Sequence, residues 1–437
     1  KARLYKMALA TLDNYETKAM LCKRPEEVDQ AWLYQPIWDA VNRHYAHLGV
    51  KAHSHQELVE QLGILRYGHR PKVGDTFAGG GSIPFEAARL GCDVYASDLN
   101  PIACMLTWGA LNIIGASPEK RQEIEKAQRE VAEAVDKEIT ALGIEHDEHG
   151  NRAKAYLYCL ETRCPETGWM VPMAPSWIIS KTRNVVAKLI PDHANKRFDI
   201  EVVDGVSKQE MEVANQGTVQ NQALVYELDG RVYRTPIKTL RGDYRDSEGA
   251  TKNRLRPWEK GDFKPRADDI FQERLYAIQW IECGSLEEHR KVTFFAAVTE
   301  EDLKRERQAE KLVAKNLQQW QEQGLVPDMR IEPGYNTDQP TRERGWTHWH
   351  HLFSCRHLVG LAKYLLLIGS DGEVSSLVDF ASKLDNSSKL TRLDASGGNI
   401  GREPKMTNVF SNQALNTLYS WAERSTWNLQ DYAKILS

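Results

Sequence analysis

Residues 72–106 read KVGDTFAGGGSIPFEAARLGCDVYASDLNPIACML. A short β-type run ends at Asp75, the chain turns through Phe77-Ala78-Gly79-Gly80-Gly81-Ser82, and a helix begins near Ile83. After Gly91 a second strand, Val94-Tyr95-Ala96, stops before Asp98, and Asn100-Pro101 opens another helix. Strand, glycine loop, helix, strand and acid make up the first half of a nucleotide-binding α/β domain. The glycines let the backbone approach a ligand closely, with its amides and the helix N-terminus facing that ligand. Asp98 follows Asp75 by 23 residues, about the distance at which an acid meets ribose hydroxyls.

A dinucleotide fold requires Gly-x-Gly-x-x-Gly, and counted from Gly79 and Gly81 the third glycine falls on Pro84. Proline suits the first turn of a helix but does not replace a packing glycine. Asp75-x-Phe77-x-Gly79-x-Gly81-Ser82 instead resembles the S-adenosylmethionine motif of amino-methyltransferases, Asp-Pro-Phe-x-Gly-x-Gly-Thr. That resemblance implies a cofactor pocket made of Asp75, Thr76, Phe77, Ala78, Gly79, Gly80, Gly81 and Ser82 around the methionine moiety. Asp98 would take the ribose, with Leu99 and Asn100 beside it. A glycine-rich turn in some other α/β protein is the bland alternative.

The chain has 437 residues, enough for two or three domains. Hydrophobic residues at 41% and charged residues at 27% suit a globular protein. No run approaches the roughly 18 uncharged apolar residues of a membrane span. Seven mostly isolated cysteines suggest a reducing cytoplasm rather than a disulfide scaffold. With a net charge of −4, nucleic acid would have to be met by a local basic surface.

Residues 1–70 read as helices that cover or lead into the sheet, with Val28, Trp32, Leu33, Ile37, Trp38, Val41 and Tyr45 as a packing stripe. The segment 71–142 holds the glycine unit and, after Ser117-Pro118, a long charged helix. From 143 to 299 short β-type runs alternate with turn signals such as Asp204-Gly205 and Asp229-Gly230, a β-rich insertion. Cys159 and Cys164, beside Pro165 and Gly168, resemble half of a zinc ribbon. They are expected near each other in a turn without a complete four-ligand site; a bound zinc completed by distant residues is the alternative.

Residues 231–266 hold eleven lysines and arginines against five acids, interleaved with Tyr233, Tyr244, Trp258 and Phe263. Phosphate neutralisation with aromatic stacking is what a nucleic-acid surface needs, and Arg241, Arg245, Arg254, Arg256 and Lys260 are the candidate DNA contacts. A solvated basic loop is the alternative. The segment 300–437 reads as helical and leading back to the methyltransferase core, and it opens with a charged helix, Glu301 to Gln323, expected as a solvent-exposed arm. His348, His350 and His351 read as packing or substrate contacts rather than metal ligands, since no carboxylate joins them at ligand spacing. A buried helix follows from Leu358 to Ile368, and then a loop around Asp394 to Gly401.

Several blocks, in order along the chain, together resemble the adenine-specific DNA methylases that contain a Zn-ribbon. They are Asp75–Leu106; Cys164–Trp169 with Pro175-Ser176-Trp177; Asp268–Tyr276; Pro333–Gln339 with Trp346–Phe353; and Asn408–Thr417. The resemblance implies a Rossmann-like methyltransferase domain with a large β-rich insertion and additional helices. It also implies N6-methylation of adenine in double-stranded DNA, in the cytoplasm, within a phage-defence or modification system whose other proteins are candidate partners. The chain departs from the family twice. The second Cys pair is replaced by Gln220-Asn221-Gln222-Ala223-Leu224, and no Asp/Asn-Pro-Pro-Tyr/Phe occurs, Glu332-Pro333-Gly334-Tyr335 being a near miss. In the family that catalytic motif follows the Asn408–Thr417 block, so the 437 residues read as an excerpt lacking both ends. Two other readings stay open: a non-catalytic DNA-binding subunit of a defence complex, and a nicotinamide- or nucleotide-dependent enzyme.

Overall fold

The computed structural model describes residues 1–10, 14, 27–368, 384, 387–396, 404–407, 409 and 415–426. It is a mixed α/β structure that divides into two units, Lys1–Ile124 and Glu125–Ser437. Among the described residues no helix is long and apolar enough to cross a membrane.

In the first unit α1 spans Ala2–Ala10, α2 Gln30–His44 and α3 His55–Tyr67. Asp29 caps α2 by accepting from the Ala31 amide, and Ser54 caps α3 by accepting from the Glu57 amide, so side-chain oxygens satisfy helix-end donors. The predicted apolar stripe is only half inside: Val28, Leu33 and Trp38 are buried, whereas Trp32 and Ile37 are 40% and 37% exposed. Next come β1 (Lys72–Asp75), α4 (Ser82–Arg89), β2 (Asp93–Ala96) and α5 (Pro101–Gly109). The two strands pair in parallel, from Lys72 opposite Asp93 to Asp75 opposite Ala96, so both end at the same level. A crossover helix is what joins parallel neighbours, and α4 supplies it. The helix α6 (Pro118–Leu142) begins in this unit and ends in the second.

The second unit is built on β3 (Arg152–Arg163), β4 (Met170–Met173), β5 (Ile178–Ser180), β6 (Val185–Asp192) and β7 (Arg197–Val203). Helix α7 (Lys208–Gln216) carries a capping box between Ser207 and Glu210. A separate three-stranded sheet follows, of β8 (Val219–Gln220), β9 (Ala223–Leu228) and β10 (Arg231–Pro236). Its two hairpin turns, Asn221-Gln222 and Asp229-Gly230, place both central residues at positive φ, the backbone twist that a two-residue hairpin demands. Then come α8 (Ile237–Arg241), β11 (Tyr244–Arg245), β12 (Thr251–Lys252), β13 (Phe271–Ile281) and β14 (Thr293–Ala297). The chain continues with α9 (Glu300–Glu322), α10 (Asp338–Arg344), α11 (Cys355–Ile368), β15 (Leu393–Asp394), β16 (Lys405–Met406) and β17 (Ser420–Arg424).

The eight-stranded sheet has the order β14-β13-β3-β4-β7-β6-β5, with β17 also on β3. Twelve residues long, β3 pairs with β13 along one edge; its other edge takes β17 opposite Ala155–Cys159 and β4 opposite Leu160–Arg163. Alternation puts Tyr156, Tyr158 and Leu160 in one core and Ala155, Leu157 and Cys159 in the other. Two expectations change here. The charged helix α9 is no free arm: Ala309, Val313, Leu317 and Trp320 pack with Val135, Ile139, Leu358 and Val359. The segment 300–437 is not purely helical, because it returns β17 to the main sheet. The Asn408–Thr417 block and the loop after Asp394 lie largely outside the described residues.

Buried ions lie against β3. The Arg356 guanidinium donates to Glu306 at 2.8 Å and sits 4.3 Å over the Tyr156 ring, while the Tyr158 hydroxyl donates to Glu306 at 3.0 Å. Lys389, fully buried, meets Glu273 at 2.8 Å between the rings of Trp258 and Trp346. Beside them Glu423 accepts from the Trp421 indole at 2.7 Å, and its other oxygen stands 3.6 Å from His357 Nδ1. Burial raises the Glu423 carboxyl to about 7 and lowers His357 to about 4. His357 Nε2 faces the Arg424 carbonyl at 3.1 Å, so the ring proton sits there, and Nδ1 stands too far from the Glu423 carboxyl at 3.6 Å to be hydrogen-bonded to it.

A carboxyl raised on folding stabilises the fold fully below its unfolded value and loses that contribution as pH rises through the folded value. The second unit is therefore expected to weaken from Glu423 as pH climbs from 4.5 through about 7. Glu423→Gln keeps the acceptor for Trp421 and removes the titrating carboxyl. It should be about 1–3 kcal/mol more stable than the wild type near pH 8 and little changed near pH 4.5, checked by urea unfolding at both pH values. Equal pH sensitivity in the variant would show that Glu423 does not carry it.

Candidate functional site

Of the eleven residues expected to hold the cofactor, ten lie at the C-terminal end of β1 or in the turns leaving β1 and β2, and Ser82 opens α4. The Ser97 amide donates to the Asp75 carbonyl at 2.9 Å and the Ala78 amide to the Ser97 carbonyl at 3.0 Å, so the two turns are tied together past the last strand pair. The Asp75 carboxylate accepts from the Phe77 amide at 3.1 Å and bends the chain into the loop. Gly79 and Gly81 have φ of 52° and 80°, conformations that cost a side-chain-bearing residue energy. At Gly81 space also matters: a Cβ would come within 2.8 Å of Thr107 Oγ1 on α5.

Asp98 is the hinge of the arrangement. One carboxylate oxygen accepts from the Gly79 amide at 2.9 Å and the other from the Asn100 amide at 2.8 Å. These backbone donors, Asn100 first and Gly79 second, hold its carboxyl below the usual range, so it stays an anion at neutral pH. Each oxygen keeps acceptor capacity beyond its one amide bond. Asn100 is the N-cap of α5, accepting from the Ile102 amide at 3.0 Å, with Pro101 in the first turn. The α4 N-terminus has no side-chain cap, and Pro84 in its first turn has no amide to offer, so the open donors there are the Ser82 and Ile83 amides. Phe77 and Leu99 are 80% and 95% exposed at the rim. An anion flanked by open amides and two bare apolar side chains can grip a ligand with hydroxyls, a charged end and an apolar ring.

The other predicted sites fare differently. Cys159 lies within β3 and packs in one core, whereas Cys164, just past the strand, packs in the opposite one. The Gly168 amide donates to the Cys164 carbonyl at 2.8 Å and closes the turn after β3, but Cys159 stays in the strand, so the two are not neighbours in one turn and pack on opposite faces of the sheet. Among the described residues no group of three or more His, Cys, Asp or Glu is placed to hold a metal ion. The histidines brace the loop at 258–262 instead: His350 meets the Asp262 carbonyl at 3.1 Å and His351 the Glu259 carbonyl at 3.0 Å. Burial pushes them down to about 4 and about 2, so both are neutral.

Of the five candidate DNA contacts, two are structural. Arg256 is held by Asp262 at 2.6 Å and Asp269 at 2.7 Å, and Arg241 by Asp243 at 2.8 Å. Lys260 is exposed and paired with Asp328 at 2.7 Å. Arg245 and Arg254 are exposed and carry no ion pair among the described residues. The same holds for Arg234, Lys238 and Lys252, which charge counting alone does not single out. Strand alternation is the available signal for Arg234: its neighbours Tyr233 and Thr235 turn inward. Compared with family models, with characterised proteins and with solved structures, the chain matches none.

Asp98→Ala removes both the acceptor for a ligand hydroxyl and the tie to Gly79. Affinity for S-adenosylmethionine, read by calorimetric titration, is expected to fall roughly ten- to a hundredfold, the worth of one charge-assisted hydrogen bond. Unchanged affinity would sink the ribose assignment.

Proposed function

We propose that the chain binds S-adenosylmethionine at the glycine loop and serves N6-methylation of adenine in double-stranded DNA. The observation that carries the reading is the ionised Asp98, locked to Gly79 and Asn100 where parallel β1 and β2 end together. In this reading the Rossmann-like half-domain sets the cofactor's ribose on Asp98. The amides of Gly80, Ser82 and Ile83 meet the methionine carboxylate. The exposed Leu99 covers the adenine ring. The dinucleotide alternative is disfavoured by Pro84, where a packing glycine is required.

The methyl donor is a sulfonium with a good leaving group, so the protein's task is mainly to position the nucleophile. Adenine N6 is a weak one, its lone pair being conjugated with the ring, and the base has to leave the duplex stack to be reached. The family's Asp/Asn-Pro-Pro-Tyr/Phe accepts the N6 hydrogens and stacks on the base. These residues do not contain it; the second reading is a methyltransferase-like subunit that binds cofactor and DNA without performing transfer. A cytoplasmic place in a DNA-modification or defence system belongs to either reading.

The DNA-facing surface in this proposal is the set Arg234, Lys238, Arg245, Lys252 and Arg254, with the half-exposed Tyr244 among them. Every phosphate left without its cation should lower the slope of log K against log salt by about 0.9. Arg245→Ala, Lys252→Ala and Arg254→Ala combined are expected to weaken duplex binding and flatten that slope by two to three times this amount, with S-adenosylmethionine affinity unchanged. Wild-type affinity and slope in that triple variant would leave the basic stretch as surface only. Radiolabelled methyl transfer from S-adenosylmethionine to duplex DNA, with N6-methyladenine in the digest, separates the enzyme from the non-catalytic subunit.

A further inference from the structure

A cavity of about 750 Å³ opens in the second unit between β6, α7 and the three-stranded sheet. Three apolar side chains stand bare in its lining: Ile190, Val213 and Val232, 40%, 66% and 64% exposed. Its main-chain lining is unusual. The Ala187 amide donates to the Trp177 carbonyl at 2.8 Å, on the side of β6 away from β7. Groups two residues apart on a strand point the same way, so the Leu189 N–H and C=O and the Pro191 C=O face that side too. There β5 has already ended, since it pairs only with Val185 and Val186.

A second open edge meets the first. The Val225 amide of β9 donates to the Thr218 carbonyl at 2.8 Å, and β8 pairs only with Ala223 and Leu224. The Glu227 N–H and C=O therefore point past the end of β8 with no backbone partner among the described residues. Leu189, Pro191 and Glu227 all line the cavity. Its charges are Lys188 and Glu210, which neutralise each other at 2.7 Å, and Glu227, exposed and without an ion pair among the described residues.

We propose that this groove binds an extended peptide segment of a partner protein, which adds a strand to the open edges and sets a lysine or arginine against Glu227. Unpaired strand edges select an extended backbone, because only a chain with donors and acceptors alternating at strand spacing satisfies them. The bare Ile190, Val213 and Val232 select apolar residues at alternate positions of that strand. The one uncompensated charge in the lining is negative, which selects the basic residue. Pro191, with no N–H, leaves acceptors in excess of donors on the β6 edge, so the Leu189 amide is the donor that fixes the register.

The test titrates the whole chain with a fluorescently labelled, capped peptide Val-Thr-Lys-Thr-Val-Thr-Val by anisotropy, its lysine and valines on one face because Glu227 and Val232 are cross-strand partners on one face of their sheet. Saturable binding is expected, weakened about tenfold or more when alternate amides of the peptide are N-methylated, the cost of one to two hydrogen bonds. Glu227→Lys should weaken it similarly, with affinity regained by the peptide carrying glutamate in place of lysine. Leu189→Pro removes the outward donor without touching a ladder bond and should mimic N-methylation; the surface variant at Glu227 keeps the test decisive where the proline variant does not fold. No saturable binding, equal binding of the N-methylated peptide, or a dimer of the chain that closes the groove against the peptide would each overturn the proposal.

Discussion

The carboxylate of Asp98 accepts two main-chain amides from two different turns, and the geometry of the candidate site depends on that pair of bonds. Without it the glycine loop, whose residues have few side chains to hold them, would be tied to β2 by little besides the Ala78–Ser97 bond. The pairing requires β1 and β2 to be parallel and level, which the register supplies. It also keeps the carboxyl ionised, because both donors stabilise the charged form. One interaction thus shapes the loop and leaves a fixed negative charge at its mouth.

The second unit rests on a different constraint. Its central strand β3 is paired on both edges and buried on both faces, so polar groups next to it need partners inside the protein. Glu306, Arg356 and Tyr158 provide one another with such partners, as do Lys389 and Glu273 between two tryptophans. Buried ions of this kind add little net stability, since desolvation offsets attraction, but removing one partner strands the other.

Local chemistry makes the glycine unit legible in the sequence. The turn glycines, the capping Asn100-Pro101 and the acid after β2 act over a few residues, and all are found in their expected places. The β-rich texture of 143–299 is equally readable, as is the Asp229-Gly230 hairpin. What stays hidden is non-local. The helix α9 has a charged sequence, yet its four-residue spacing of Ala309, Val313, Leu317 and, three on, Trp320 builds a core face whose partners lie in α6 and α11. The return of β17 to β3 spans more than 250 residues and leaves no local mark. Counting charges in 231–266 overstates the free basic surface, because the acids that neutralise Arg256 and Lys260 include Asp269 and Asp328, beyond the window. The two cysteines read as a metal half-site because spacing in sequence does not reveal which face of a sheet a side chain takes.

The central claim is that the loop after β1 is a cofactor cradle for S-adenosylmethionine. It is tested most directly by amide chemical shifts of the isotopically labelled chain, titrated with S-adenosylmethionine and, separately, with a nicotinamide dinucleotide. The account predicts saturable shifts at Gly79, Gly80, Ser82, Ile83 and Asn100 with the first ligand and none with the second. Shifts of these amides with the dinucleotide alone, or silence with both, would contradict it.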